Sequence, residues 1–229
     1  MVITLPFVSL EGVSYTYSGR KEAAVNNITL SFNKSEKITV TGANGSGKST
    51  LAKLILGLLK PQKGKIILDN RPVDKYSLVE IGEKIGYVLQ NPNQMLFNTS
   101  VYNEIAFGLK WKAKSKEEVR SLCKKYLDLF QLWEIRHEMP FNLSEGQKQL
   151  VVISAVLALQ PSFLILDEPT KSIDTFRRKI LADILQEIWR QGTGIMIISH
   201  DFELIAGFNG RRIHMVKGEI VEDEGGYKN

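Results

Sequence analysis

The chain has 229 residues, of which 43% are hydrophobic, and carries a formal net charge of +5 at pH 7. That size and apolar content suit one large domain, or one core domain with an inserted subdomain, and its scattered basic residues do not by themselves argue for a nucleic-acid partner. Cys123 is the only cysteine, which excludes an internal disulfide and a cysteine-rich metal site.

From Met1 to Glu11 there is no basic segment followed by an apolar core, so no signal peptide is expected. The longest nearly apolar run, Leu150 to Leu159, is about half a membrane span. The sequence therefore reads as a soluble, cytosolic chain, and any spanning of a membrane falls to another chain.

The first part reads as β structure. Ile28, Leu30 and Phe32 alternate with Asn27, Thr29 and Ser31, while Gly12 and Ser18-Gly19 supply turns. Ile38 to Thr41 reads as a buried strand, and Leu51, Leu54, Ile55 and Leu58 follow at helical spacing. Between them, Gly42-Ala43-Asn44-Gly45-Ser46-Gly47-Lys48-Ser49-Thr50 fits G-x-x-x-x-G-K-[ST] throughout. Its glycines let backbone N–H groups approach phosphate oxygens with no Cβ in the way. Lys48 would place its charge between the β- and γ-phosphates, the Ser49 hydroxyl would ligate Mg²⁺, and the positive helix end would face the anion. The plainer alternative is an ordinary glycine-rich strand-to-helix turn.

Ile66 to Leu68 with Asp69-Asn70 is a further strand and turn, and Ile85 to Leu89 is a strand that delivers Gln90. From about Tyr102 the pattern turns helical. Ser115 and Glu118 form a capping box opening a helix with Val119, Leu122, Cys123, Tyr126, Leu127 and Phe130 on its inner face. Cys123, Trp111, Trp133 and Phe141 are expected as packing groups. Phe163-Leu164-Ile165-Leu166 is a strand fit for burial on both faces, ending in Asp167-Glu168. A helix with Ile180, Leu181, Ile184, Leu185, Ile188 and Trp189 ends at Gly192, the strand Ile195 to Ile198 follows, and Ile213 to Val221 reads as a hairpin turning at Lys217-Gly218. Strands alternating with helices imply an α/β fold with a largely parallel sheet, here one domain over 1–229 with a helical insertion at about 100–160. No internal repeat or low-complexity linker is evident.

Beside a phosphate loop, Asp167 would hold Mg²⁺ through its hydration shell, and Glu168 would polarise an attacking water. Ser144 and Gln147 form a second capping box, which reads simply as a helix start or as an anion site at a helix N-terminus. The phosphate loop, Tyr87 to Gln90, Leu143 to Gln147, Leu166-Asp167-Glu168-Pro169-Thr170, Ser172-Ile173-Asp174 and Ser199-His200-Asp201 occur in the order of an ABC-type ATPase domain. The chain resembles that family from about residue 8 to 222.

The resemblance implies a P-loop NTPase of ABC-ATPase type, with a mostly parallel core sheet, an N-terminal antiparallel β part and an inserted helical subdomain. It implies ATP and Mg²⁺ as cofactors. Tyr17 resembles the aromatic that stacks on adenine, with core packing as the alternative. Gly42, Asn44, Gly45, Ser46, Gly47, Lys48, Ser49 and Thr50 correspond to the ATP-binding loop. Gln90 is similar to the Q-loop glutamine that approaches Mg²⁺ and senses the membrane partner. Ser49, Gln90 and Asp167 are the implied metal groups, and Lys48, Gln90, Glu168 and His200 the implied catalytic ones. His200 resembles the switch histidine on the γ-phosphate. Ser144, Gly146 and Gln147 resemble the signature that acts on the ATP of the opposite chain, and Asp174 the D-loop aspartate of the dimer interface. Two chains would close around two nucleotides, and loss of the γ-phosphate would reopen them.

A narrower resemblance lies in Gln90 to Phe97, Val101 to Leu109 and Met139 to Asn142, which look like the ATPase subunits of energy-coupling-factor importers and related cobalt and nickel importers. It implies transmembrane partner subunits, import of a vitamin or metal ion, and a peripheral place on the cytoplasmic face of the membrane. Some positions depart from the pattern. Glu145 stands where glycine is usual and should repel another chain's γ-phosphate unless it points away. Leu150 replaces arginine, Lys171 to Ile173 replace smaller residues, and the sequence stops soon after its last hairpin. A second, different ATPase subunit is therefore favoured as partner over a second copy. The alternatives are another ABC transporter class, an exporter included, and a soluble ABC ATPase outside transport. Against the latter, no long heptad stretch splits the domain, the sequence holds one such domain rather than two, and no nucleic-acid partner is expected.

Overall fold

The computed structural model describes residues 5–112 and 115–225. Residues 1–4, part of the stretch read for a signal peptide, lie outside the described residues, as do 113–114 and 226–229. Alternation in the first third builds an antiparallel sheet. In β2 (Val25–Phe32) Val25, Ile28, Leu30 and Phe32 are buried while Asn26, Asn27, Thr29 and Ser31 are exposed. This strand pairs with β1 (Val8–Tyr15), and β1 with β4 (Lys63–Leu68), which turns through Asp69-Asn70 into the short β5 (Arg71–Pro72). The resulting 4-stranded sheet has the order β2-β1-β4-β5.

The second sheet is 6-stranded. Beyond β3 (Lys37–Thr41) it uses β6 (Ile85–Val88), β7 (Phe163–Asp167), β8 (Gly194–Ile198), β9 (Arg211–Val216) and β10 (Glu219–Glu224), in the order β10-β9-β3-β8-β7-β6. All pairs are parallel except the β9–β10 hairpin at its edge. Every residue of β7 and β8 is buried, as continuous apolar runs in a parallel sheet require. Their side chains alternate between two cores. Phe163, Ile165, Met196 and Ile198 face the core shared with the antiparallel sheet and with α1 (Lys48–Ile55). Leu164, Leu166, Ile195 and Ile197 face a second core, made with the helices.

α2 (Leu78–Lys84), opened by a capping box of Ser77 and Glu80, adds Ile81 to the first of these cores. The helical insertion comprises α3 (Val101–Trp111), α4 (Lys116–Leu129) and α5 (Glu145–Ala158). The inner face of α4 is the predicted one, Leu122 being partly buried and Cys123 fully buried against Tyr102. After β7 comes α6 (Thr175–Arg190), which ends at Gly192 with φ 98°, and after β8 comes α7 (Phe202–Phe208).

Trp111, Phe141 and Leu58 depart from the placement expected of them. Trp111 is 74% exposed because it is the last residue of α3, beyond the stripe of Val101, Ile105 and Leu109. Phe141 is 48% exposed in a one-turn 3₁₀ segment. Trp133, as expected, packs against the helical core, and it carries Lys124 and Arg136 against its ring, at 4.5 and 4.2 Å from the centroid. Leu58 lies past the end of α1, which stops before Gly57 turns the chain with φ 65°.

Candidate nucleotide site

Strand register gathers the candidate groups at one edge of the parallel sheet. Val40 lies opposite Ile198, Ile197 opposite Leu166, and Leu166 opposite Val88. The chain therefore leaves β3, β8, β7 and β6 at one level, toward Gly42, His200, Glu168 and Gln90. Ligands of open parallel sheets sit outside this carboxyl edge.

The loop after β3 is held from both sides. Gly42 and Gly47 have φ of 137° and 105°, where only glycine is at ease. A Cβ on Gly42 would lie 2.1 Å from the Met215 carbonyl oxygen, and one on Gly47 would lie 2.1 Å from that of Ala24. Gly218 N donates to Ser46 O at 2.9 Å, and Asn26 N donates to Gly218 O at 2.8 Å. The phosphate loop is thus clamped between the start of β2 and the β9–β10 hairpin. Within it, Lys48 Nζ donates to the carbonyls of Gly42 (2.5 Å) and Ala43 (3.0 Å). Burial pushes this ammonium below the usual lysine range, and the charges of Glu168 and Asp167 oppose that shift.

Across the cleft, Asp167 is 4% exposed, and burial pushes its carboxyl above the usual range. The Ser49 hydroxyl, the Lys48 charge and the Tyr87 hydroxyl, 3.5 Å from Oδ2, act in the opposite direction. Glu168 has φ 50°, a left-handed backbone unusual for a residue with a side chain. Its amide donates to Ile198 O at 2.8 Å. Its carboxylate lies 3.4 Å from both Ser199 Oγ and His200 N, and 3.5 Å from His200 Nε2. Tyr17 closes another wall, its hydroxyl 3.3 Å from Thr50 Oγ1 and its ring edge-on to Tyr15.

The cavity so formed measures about 690 Å³, and Tyr17, Asn44, Gly45, Gly47, Lys48, Ser49, Thr50, Gln90, Asp167 and Glu168 all line it. Gly42 and Ser46 sit behind, the first as acceptor for Lys48 and the second as acceptor for Gly218. The other candidates lie outside this lining. Ser144 is the N-cap of α5, its hydroxyl accepting from Gln147 N, and Asp174 is the N-cap of α6, accepting from Arg177 N. A Cβ on Gly146 would lie 2.6 Å from Ser172 O, so the start of α5 packs directly on the loop before Asp174.

A sequence profile described as ABC transporter matches residues 25–171. The chain belongs to the ABC transporter family. An ABC transporter ATP-binding protein of Enterococcus faecalis is 36% identical over 214 residues, 93% of this chain and 38% of its own length. A Methanosarcina acetivorans protein of the same description is 33% identical, over 96% of this chain and 36% of its own length. The chain thus spans little more than a third of these relatives. Among solved structures, cbiO1 of Clostridium perfringens, part of the ABC transporter complex cbiONQ, superposes with TM-score 0.84 at 30% identity, over 96% of this chain and 88% of its own. The ATP-binding cassette MJ0796, in a dimeric post-hydrolysis state bound to ADP and Pi, gives TM-score 0.88 at 27% identity, over 97% of this chain and 100% of its own. The fold is that of an ABC ATPase cassette.

The residues of this ABC cassette fit ATP and Mg²⁺. The clamped glycines leave backbone room for phosphates, and the buried Asp167 beside the Ser49 hydroxyl is a hard oxygen pair suited to Mg²⁺. Among the described residues, no group of three or more His, Cys, Asp or Glu could hold a metal alone. Mg²⁺ is commonly shared between one or two protein oxygens, nucleotide phosphates and water.

Some residues of the site carry little mark in the sequence. Arg20 to Ala24 line the same cavity, and the Arg20-Lys21 pair just after the Ser18-Gly19 turn was the available signal. Ser199, which precedes His200, reaches Glu168 with its hydroxyl, a contact its place in the motif does not disclose. Arg178 joins two loops, its Nε 2.7 Å from Ile173 O and its NH1 3.3 Å from Asp201 Oδ2. Helical periodicity carries no sign of that.

Proposed function

We propose that this chain binds and hydrolyses Mg-ATP and that the cycle powers a membrane transporter, of the energy-coupling-factor type that imports a vitamin or metal ion. The observation that carries the ATPase reading is the convergence of the clamped phosphate loop, Gln90, the Asp167-Glu168 pair and His200 at one carboxyl edge. Lys48 exchanges its carbonyl partners for β- and γ-phosphate oxygens, and Tyr17 packs on the base. Ser49, Asp167 and Gln90 hold Mg²⁺, which supplies charge neutralisation to the transferred phosphoryl group. Glu168 orients and polarises the attacking water, and His200, anchored on the same carboxylate, reaches the γ-phosphate. Ser144, Gly146 and Gln147 serve the nucleotide of a partner cassette across an interface that includes Asp174.

The importer type is supported by the likeness to cbiO1, which belongs to a transporter complex, and by the Gln94-to-Phe97 and Ala106-to-Gly108 segments. Among the described residues no helix is long and apolar enough to cross a membrane. In this reading the chain works on transmembrane subunits from the cytoplasmic face, paired with a second ATPase subunit, a different one being favoured. Nucleic acid is not part of this reading.

Two measurements test it. Glu168→Gln should retain ATP binding and lose on the order of 10²–10⁴ in turnover, whereas Lys48→Ala should lose the binding itself, and a chelator should abolish wild-type turnover. Persistent hydrolysis in the Glu168 variant would remove that residue as base. Tagged chain extracted from native membranes should bring transmembrane proteins and a second ATPase, while soluble partners or nucleic acid alone would sink the transport reading.

A further inference from the structure

The side chain most at odds with the family pattern has a built environment. Glu145 opens α5 between Ser144 and Gly146. Lys148 Nζ reaches its Oε1 at 2.8 Å, and Asn93 Nδ2 reaches Oε2 at 3.0 Å and Oε1 at 3.3 Å. The Lys148 side chain is 10% exposed and that of Glu145 51%, so the ion pair is withdrawn from solvent at its lysine end and open at its carboxylate. Both contacts hold the Glu145 carboxyl below the usual range, led by Lys148.

Asn93 is itself fixed. Its amide and Nδ2 both donate to Asn91 Oδ1, at 3.0 and 3.2 Å, within the short turn that directly follows Gln90. On its other side the start of α5 rests on Ser172, where Gly146 leaves no space for a Cβ. Gln90, Asn91, Asn93, Glu145, Lys171 and Ser172 line one shared cleft of about 320 Å³, and Gln90 lines the nucleotide cavity as well.

We propose that Glu145 is a positioning residue. It fastens the first turn of α5 to the turn after Gln90, so that Ser144 and Gly146 move with the loop that lines the chain's own nucleotide cavity. Its charge is engaged within the chain by Lys148 and Asn93 and is not presented to a partner's nucleotide. The catalytic part of this inference rests on the ATPase reading above. The fastening itself does not.

The experiment uses the full chain in its native transporter assembly, with Asn93→Ala, Glu145→Ala, Glu145→Gln and the double variant Asn93→Ala/Glu145→Ala. Hydrogen exchange across residues 143–149 should quicken in the Asn93 and Glu145→Ala variants and stay near wild type in Glu145→Gln, whose amide oxygen still accepts from Asn93. Unchanged exchange in Asn93→Ala overturns the fastening whatever the turnover. In ATP hydrolysis, each Ala variant should lower kcat about fivefold with KM unchanged, the double should fall no further than either single, and Gln should recover most of the loss. Faster turnover in Glu145→Ala, or additive losses in the double, overturns the positioning role, the first outcome reinstating a repulsive carboxylate. Failure of the wild-type chain to bind or hydrolyse ATP counts against the ATPase reading alone, since the exchange result decides the fastening separately.

Discussion

Gly45 and Gly47 both have positive φ, at 80° and 105°, yet they are not equivalent. A Cβ at 45 meets nothing within 4 Å, while one at 47 runs into the Ala24 backbone. Gly47→Ala should therefore displace the loop and cost at least tenfold in ATP affinity, while Gly45→Ala should cost only the strain of a left-handed alanine, about 1 kcal/mol. Titration with a fluorescent ATP analogue separates them, and equal losses would mean that the Ala24 contact is irrelevant. Cys123 makes a second prediction. Burial raises its thiol to about 11, so at pH 8 roughly one molecule in a thousand carries the reactive thiolate. Iodoacetamide should label the folded protein slowly, faster as pH climbs toward that value, and at once after denaturation. Fast labelling at pH 8 of the folded chain would contradict its buried position.

Elements were legible in proportion to how local their causes are. The capping boxes at Ser115 and Ser144, the doubly buried run at 163–166 and the hairpin at Lys217-Gly218 stand where residue pattern puts them, because neighbouring side chains decide each of them. The loop from Gly42 to Thr50 was equally plain, since its glycines and lysine carry their geometry in their identity. Trp111 and Phe141 were misread because burial depends on where a helix stops against its neighbours, and no window of sequence records that. Arg178 was invisible for a related reason, as its two acceptors come from loops at 173 and 201. Arg178→Ala should loosen the loop before Asp174 from the one after His200 and lower kcat several-fold at unchanged ATP affinity. Arg178→Lys should not restore it, because an ammonium lacks the planar fork that reaches both acceptors. Steady-state kinetics on both variants decide this, and an unaltered kcat in Arg178→Ala would show the two loops to be held by other contacts.

At the scale of the molecule, β7 and β8 are the wall between two cores. Phe163 packs against Phe7 and Phe32, with ring centroids at 5.9 and 5.0 Å, while Leu164 next to it serves the helical side. Phe163→Ala should cost about 3–5 kcal/mol, a large part of the 5–15 kcal/mol typical of a folded domain. Since both sheets meet there, urea unfolding followed by tryptophan fluorescence and by circular dichroism should shift together. Separate transitions would show that the halves unfold independently.

The clamp on the phosphate loop reaches across most of the polypeptide, for the backbone that closes on Gly42 and Ser46 comes from Met215 and Gly218. During synthesis on the ribosome the loop emerges well before those residues exist. A growing chain halted short of Arg211 would carry every residue of the motif without the strand that presses it into shape. The shape of the loop is thus settled only once the β9–β10 hairpin has been made and has folded back onto it.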